Sequence, residues 1–227
     1  MSKEYHKLDN PAWYALTETH AAFAIGNTVV KRYRPDVVAF TAYQTGNESV
    51  QDQFDQLIQQ HEPFFIIGDL PQLPAHYSLL TRLACEQMVC SAHIPAPITE
   101  TIIPLGEANE DEVYELINLV QPGYYKHNTR LMGDYFGIRF EGRLVAVTGE
   151  RMRMDGFTEI SAVVTHPDFA GRGFAKQLVA FVSNKNLEQG IVPFLHVAQS
   201  NERAIRLYQY LGFSRRRSID FTKFCRQ

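Results

Sequence analysis

The chain has 227 residues, of which 45% are hydrophobic and 21% charged. That is ordinary globular composition, enough to bury a sizeable core without a disulfide or metal staple. The formal net charge of −3 gives no basic surface for a nucleic-acid partner. No apolar run is long enough to cross a membrane, and the opening MSKEYHKLDN has no apolar signal core, so a cytoplasmic protein is expected. Three cysteines, Cys85, Cys90 and Cys225, with no CxxC pair, fit a reducing compartment and predict neither a disulfide framework nor a metal site.

In chain order, Asn10-Pro11 reads as a cap followed by proline at the first helical position, opening a helix through WYALTETHAAFAI. Val37–Phe40 reads as a short strand. Ser49 is placed to cap a helix whose Val50, Phe54, Leu57 and Ile58 recur at helical spacing. Phe64–Ile67 reads as a buried strand, and Cys85 and Cys90 fall in an apolar stretch that reads as helix. Two prolines in His93-Ile94-Pro95-Ala96-Pro97 predict an extended linker. The expected division is therefore an N-terminal α/β domain with linker over 1–97 and a second domain over 98–227.

Past the linker, Thr99–Leu105 reads as a strand, and Asn109 with Glu112 as a capping box for a helix bearing Val113, Leu116, Ile117 and Val120. Tyr135–Phe140 and Arg143–Gly149 are strand-like runs around a Glu141-Gly142 turn. Thr158–Val164 is another strand, broken by His166-Pro167-Asp168, with His166 read as a turn residue. A glycine-rich turn then opens a helix with Phe174, Leu178, Phe181 and Val182 on one face. Pro193–Val197 reads as a strand, Asn201 starts a last helix ending at Leu211-Gly212, and Phe213–Phe224 reads as a hairpin or paired strands. The fold class is α/β with a mixed sheet.

Chemistry concentrates at Ala170-Gly171-Arg172-Gly173-Phe174-Ala175, between strand and helix. Glycines there let a main chain approach a ligand, and a helix start presents free N–H groups and a positive dipole end to an anion such as pyrophosphate. The P-loop and dinucleotide fingerprints both fail on spacing. A turn that only packs helix on sheet fits equally well when taken alone. Downstream, Asn201-x-x-Ala204-x-x-x-Tyr208-x-x-x-Gly212-Phe213 places Asn201 and Tyr208 seven residues apart on one helix face. A capping asparagine and a core tyrosine are the plain alternatives. Arg215-Arg216-Arg217 reads as a solvated strand.

Together these segments, with the phrase TEISAVVTHP and the later PFLHV, resemble the GNAT superfamily of acyl-CoA-dependent N-acetyltransferases over residues 99–227, and within it the branch near the glycine N-acyltransferase-like proteins, which carries an extra N-terminal α/β half. The resemblance implies a GNAT fold after a smaller N-terminal α/β domain. It also implies acetyl-CoA as acyl-donor cosubstrate and a primary amine as acceptor; a homodimer is compatible with it. The coenzyme pyrophosphate would sit on Gly171, Arg172, Gly173, Phe174 and Ala175, where Ala170 departs from the family's Arg or Gln. Pantetheine would lie along Ala162, Val163 and Val164, where a bulge splays the strand from its neighbour, with Asn201 as a hydrogen-bonding partner.

Amide formation from a thioester needs a neutral amine, donors to the thioester oxygen and help for the departing thiolate. Glu159, at the position where some relatives hold a carboxylate base, is expected as the base, with His196 as the rival, and Tyr208 as the acid. No cysteine near the motifs is placed to carry the acyl group, so direct transfer in a ternary complex is expected. The alternative is a module of the same fold that binds acyl-CoA without turnover. The acceptor would be shaped by the loop Gln121–Gly133.

Overall fold

The computed structural model describes residues 5–46 and 50–227, so Ser49 and its expected cap lie outside the described residues. The N-terminal part holds helix α1 (Pro11–Thr17), three short strands β1 (Ala24–Gly26), β2 (Val30–Tyr33) and β3 (Thr41–Tyr43), helix α2 (Gln51–Leu57), and strands β4 (Pro63–Ile67) and β5 (Tyr77–Val89). There follow β6 (Ile102–Leu105), α3 (Glu110–Val120), β7 (Tyr135–Phe140), β8 (Arg143–Met154), β9 (Phe157–Thr165), α4 (Phe174–Glu188), β10 (Val192–Ala198), α5 (Glu202–Tyr210) and β11 (Ser214–Arg226). Among the described residues no helix is long and apolar enough to cross a membrane.

β1–β3 form a small antiparallel sheet, and the other strands form one eight-stranded sheet in the order β4-β11-β5-β10-β9-β8-β7-β6. Every neighbouring pair is antiparallel except β9 and β10, which run parallel. Side chains alternate across this sheet. Val192 and Phe194 of β10 join the core under α1, whereas Leu195 and Val197 join the core under α4 and α5. α3 packs through Val113, Leu116 and Ile117 against Val147 and Val164, on the face opposite α4. Phe174, Leu178, Val179 and Val182 of α4 are all buried, each worth roughly 1.5–3 kcal/mol of apolar transfer.

Residues 1–97 and 98–227 both contribute strands to this sheet. β5 lies between β10 and β11, pairing with both, and β4 pairs with β11. One core cluster contains Leu8, Leu16 and Phe40 together with Phe157, Phe194 and Phe221. The proline-bearing segment after β5 is extended, as its prolines require, but it is fastened to α4. Asn184 bonds both the N–H (2.8 Å) and the C=O (3.0 Å) of Ile94, and Gln177 Oε1 accepts from the N–H groups of Thr99 (2.7 Å) and Glu100 (2.9 Å).

Local expectations fail where tertiary pairing outweighs local preference. The stretch around Cys85 is strand, because β11 pairs along its whole length. In place of a hairpin or paired strands over Phe213–Phe224 there is one long strand, Ser214–Arg226, with register shifts between Arg215 and Arg217 and between Lys223 and Phe224. The first helix stops at Thr17, where His20 N–H turns back to the Ala15 carbonyl (2.8 Å) and the His20 ring is buried against the Tyr33 hydroxyl (2.9 Å). The Asn109 side chain does not cap α3; it accepts from the Gly106 N–H (3.1 Å) one turn earlier.

Candidate active site

β9 and β10 are paired only at Phe157–Val192, Thr158–Pro193 and Glu159–Phe194. Beyond that point they part. β10 continues on β5 as far as Ala198, while β9 continues on β8. The expected bulge is present. Between the pairs Val147–Val164 and Gly149–Ser161, two residues of β9, Ala162 and Val163, face the single residue Thr148 of β8. Ala162 takes a φ of +51°, a left-handed conformation that a residue with a Cβ adopts only under local constraint. Ser161, Ala162 and Val163 are half-buried with no bridge to β10, so the sheet contains a main-chain-lined fork. Val164 itself is buried in the core beneath α3, and Val163 packs toward α4.

The turn before α4 lies at the same end of β9. His166 begins it, accepting the Asp168 N–H at 3.3 Å, which is the turn role expected. Gly171 (φ +84°) and Gly173 (φ +80°) both lie in the left-handed region, and a Cβ added at either would meet no protein atom within 4 Å. The glycines are therefore required by the backbone, and the space beside them is open. Helix α4 makes its first main-chain bond from Gln177 N–H to the Gly173 carbonyl (3.2 Å). The N–H groups of the preceding turn, from Gly173 through Phe174 and Ala175, have no helical acceptor, and no side chain caps this end. The Phe174 side chain is core, so only its main chain faces the turn. The Arg172 guanidinium lies over the rings of Phe140 (4.9 Å) and Phe169 (5.0 Å).

Asn201 is the N-cap of α5, its carbonyl oxygen accepting the Ala204 N–H at 3.1 Å, and its side chain is exposed. Tyr208 is buried on the α4 side of the sheet beside Phe213, and burial pushes its hydroxyl up to about 12. Among the described residues no group hydrogen-bonds that hydroxyl, yet it is not among the sealed-off unpaired atoms, unlike that of Ser183. Tyr208 is thus a buried phenol that keeps its proton and has a hydrogen bond to give.

Glu159, expected as the base, is buried between Arg151 and His196. It is 1% exposed and lies on the opposite face from Tyr208, with both oxygens engaged. Arg151 Nε donates to Oε2 (2.7 Å), while Arg151 Nη2 (2.6 Å) and His196 Nδ1 (2.7 Å) donate to Oε1. Burial pushes the carboxyl upward, but the Arg151 charge and these hydrogen bonds overcome it and hold the group at about 2. So acidic a carboxylate, with both oxygens already accepting hydrogen bonds, is a poor acceptor for an ammonium proton. The rival is engaged too. With its proton on Nδ1, His196 accepts on Nε2 from Gln87 Nε2 at 3.0 Å. Neither side chain is a free base.

Arg151 and Gln87 were not singled out from the sequence. For Arg151 the signal was present: Asp155-Gly156 forms the turn between β8 and β9, pairing Met154 with Phe157 and Arg153 with Thr158, which brings Arg151 near Glu159. For Gln87 no local signal exists, since its strand reads as helix. A cavity of about 330 Å³ lies on the α3 side, bordered by Leu105, Glu110, Val113, Tyr125, Arg130 and Tyr135, next to the loop expected to shape the acceptor site.

The FR47-like protein family matches residues 135–222, the stretch that contains the fork, the turn and Tyr208. No curated protein matches the chain. Among solved structures, a Drosophila protein shares 16% identity at TM-score 0.64, covering 86% of this chain and 73% of its own. A conserved Staphylococcus epidermidis protein of unknown function shares 9% identity at TM-score 0.57, covering 89% and 93%. Both show likeness of fold. A candidate acetyltransferase of the GNAT family from Novosphingobium aromaticivorans is 30% identical, with a TM-score of 0.89 over 98% of this chain and 99% of that one. With identity at that level along nearly its whole length, the chain belongs to the GNAT family.

Proposed function

We propose that this protein transfers an acetyl group from acetyl-CoA to a primary amine by direct attack within a ternary complex. The observation that carries the reading is the fork between β9 and β10, with its bulge at Ala162, opening beside the uncapped start of α4. An extended pantetheine chain can take up the main-chain groups left unpaired along Ala162–Val164, and a pyrophosphate can take the N–H groups from Gly171 to Ala175. Asn201, at the start of α5, retains its amide N–H₂ for the coenzyme arm.

In the reaction the neutral amine attacks the thioester carbon. A β9 N–H donates a hydrogen bond to the carbonyl oxygen as negative charge builds there, the carbonyl re-forms as the C–S bond breaks, and the coenzyme leaves as thiolate. Tyr208 donates a hydrogen bond to that sulfur. With its hydroxyl pushed up to about 12, it stabilises the thiolate by donation and keeps its own proton. The amine proton goes to water, because Glu159 and His196 are both engaged. Direct transfer is supported by the buried Cys85, pushed up to about 12 by burial, which makes a poor nucleophile. The acceptor enters by the cavity beside Tyr125, whose border carries the Glu110–Arg130 ion pair (2.9 Å). Placement near the glycine N-acyltransferase-like branch and in the cytoplasm is inferred from the sequence alone.

The test is acetyl-CoA-dependent thiol release across free amino acids, polyamines and peptides. Release with one class and not the others supports the reading and names the acceptor. Acetyl-CoA raising the melting temperature with no thiol released from any amine would instead identify an acyl-CoA-binding module without turnover.

A further inference from the structure

A line of side chains crosses five neighbouring strands at the level where β9 and β10 part. Arg216 of β11, Gln87 of β5, His196 of β10, Glu159 of β9 and Arg151 of β8 follow one another in the order of the strands, each hydrogen-bonded to the next. Glu159 belongs to the last pair that β9 makes with β10, and His196 lies two residues beyond its partner Phe194, on the same face. The Glu159–His196 bond therefore spans the mouth of the fork, where the main chains no longer bridge.

Both ends of the line are anchored. Gln87 also donates to the Leu8 carbonyl (2.7 Å), and Arg216 and Arg217 both reach Asp9 (2.8 and 2.7 Å). At the other end the Arg151 guanidinium lies over the rings of Phe40 (5.0 Å) and Phe221 (5.5 Å). The His196 and Glu159 side chains are 2% and 1% exposed. Rotating one strand of the fork against the other would break charge-assisted bonds and leave a buried charge without its partner, which resists change in either direction.

We propose that Glu159, His196 and Gln87 are positioning residues that fix how far β9 and β10 diverge, and hence the width of the cleft between them. That the cleft receives acetyl-CoA rests on the function proposed above. The geometry of the fork belongs to the chain alone and can be read without ligand.

The experiment uses Gln87→Met, which keeps the length of the side chain and removes its amide two strands away from β9. Hydrogen exchange is measured on the ligand-free protein. We expect exchange about five- to tenfold faster, the worth of a lost buried hydrogen bond, in segments covering 159–165 and 192–198, with β7 and α4 unchanged. Acetyl-CoA Kd should weaken by a similar factor and kcat should fall, with the shape of the pH–rate profile kept. Arg151→Lys, which retains the charge and loses the two-pronged contact, is measured in the same way and serves if Gln87→Met does not fold.

A lower Tm with wild-type exchange at the fork, wild-type Kd and wild-type kcat would reduce the line to core packing and overturn the proposal. So would Glu159→Gln that leaves Kd intact while erasing the acidic limb of the pH–rate profile, since that result makes Glu159 the base. If the wild-type chain neither binds acetyl-CoA nor releases thiol, the proposed function fails while hydrogen exchange still decides the positioning role.

Discussion

Gly173→Ala separates a coenzyme cradle from a turn that only packs. In the folded chain Gly173 holds φ at +80° as the residue preceding α4, and a Cβ placed there meets no protein atom within 4 Å. The intrinsic cost is therefore backbone strain alone, about 1–2 kcal/mol for an L-residue in the left-handed region. For a chain of this size each kcal/mol moves Tm by roughly 2–4 °C, so a fall of about 2–8 °C is expected. Gly190, past the other end of the same helix, has φ +75° and equally open surroundings, so Gly190→Ala carries the same strain away from the fork. Acetyl-CoA at 100 times its Kd should stabilise the wild type by about 2.7 kcal/mol. Gly190→Ala should keep that gain and Gly173→Ala should lose most of it, because the added methyl occupies the space a pyrophosphate needs. Melting curves with and without acetyl-CoA, backed by calorimetric titration, measure both effects. Equal Tm losses with the full acetyl-CoA gain in both variants would refute the cradle.

Tyr208→Phe should lower turnover while leaving acetyl-CoA affinity and Tm near wild type, because among the described residues its hydroxyl has no hydrogen-bond partner to lose; steady-state kinetics with unchanged kcat would remove Tyr208 from the chemistry. Stability should fall with acid in two overlapping stages. His20, held at about 4 by burial against an ordinary 6.5, binds fewer protons folded than unfolded, so the stability linked to it is lost as pH falls from about 6.5 to 4. Glu159, at about 2 against an ordinary 4.5, adds a loss of a few kcal/mol as pH falls from about 4.5 to 2. Urea unfolding across pH should show the upper stage removed in His20→Gln, and a single stage in the wild type would contradict the buried-neutral assignment of His20.

The C-terminal part was the more legible because its signals are local. Positive-φ glycines bracket α4, Asn201 caps α5, and the alternation in β9 fixes which side chains enter which core. The stretch from Tyr77 to Val89 misled because Leu79, Leu80 and Leu83 are spaced like a helix face and Ala84, Glu86 and Met88 favour helix. What makes it a strand is pairing with β11 and β10, segments far along the chain. The site shows the same division. The sequence placed Glu159 on the right strand beside the fork, but its partners Arg151 and His196, and the Gln87 that holds His196, come from three other strands. A base and a structural anion look alike until those partners are known.

The insertion of β5 between β10 and β11 also sets the order in which the molecule can assemble. During synthesis β5 is complete at Val89, but the strands that flank it begin only at Val192 and Ser214. Until both have emerged, a strand carrying Leu79, Leu80 and Leu83 has no neighbour on either edge, which is a condition that invites association with other nascent chains. Closing the sheet pairs residues far apart in the chain, such as Tyr77 with Arg226, and such long-range pairing is slow. Cutting the chain at the proline-rich segment would then yield two pieces each lacking part of a sheet. Fragments ending before β11 should depend on chaperones or be recovered only by co-expression with the missing part.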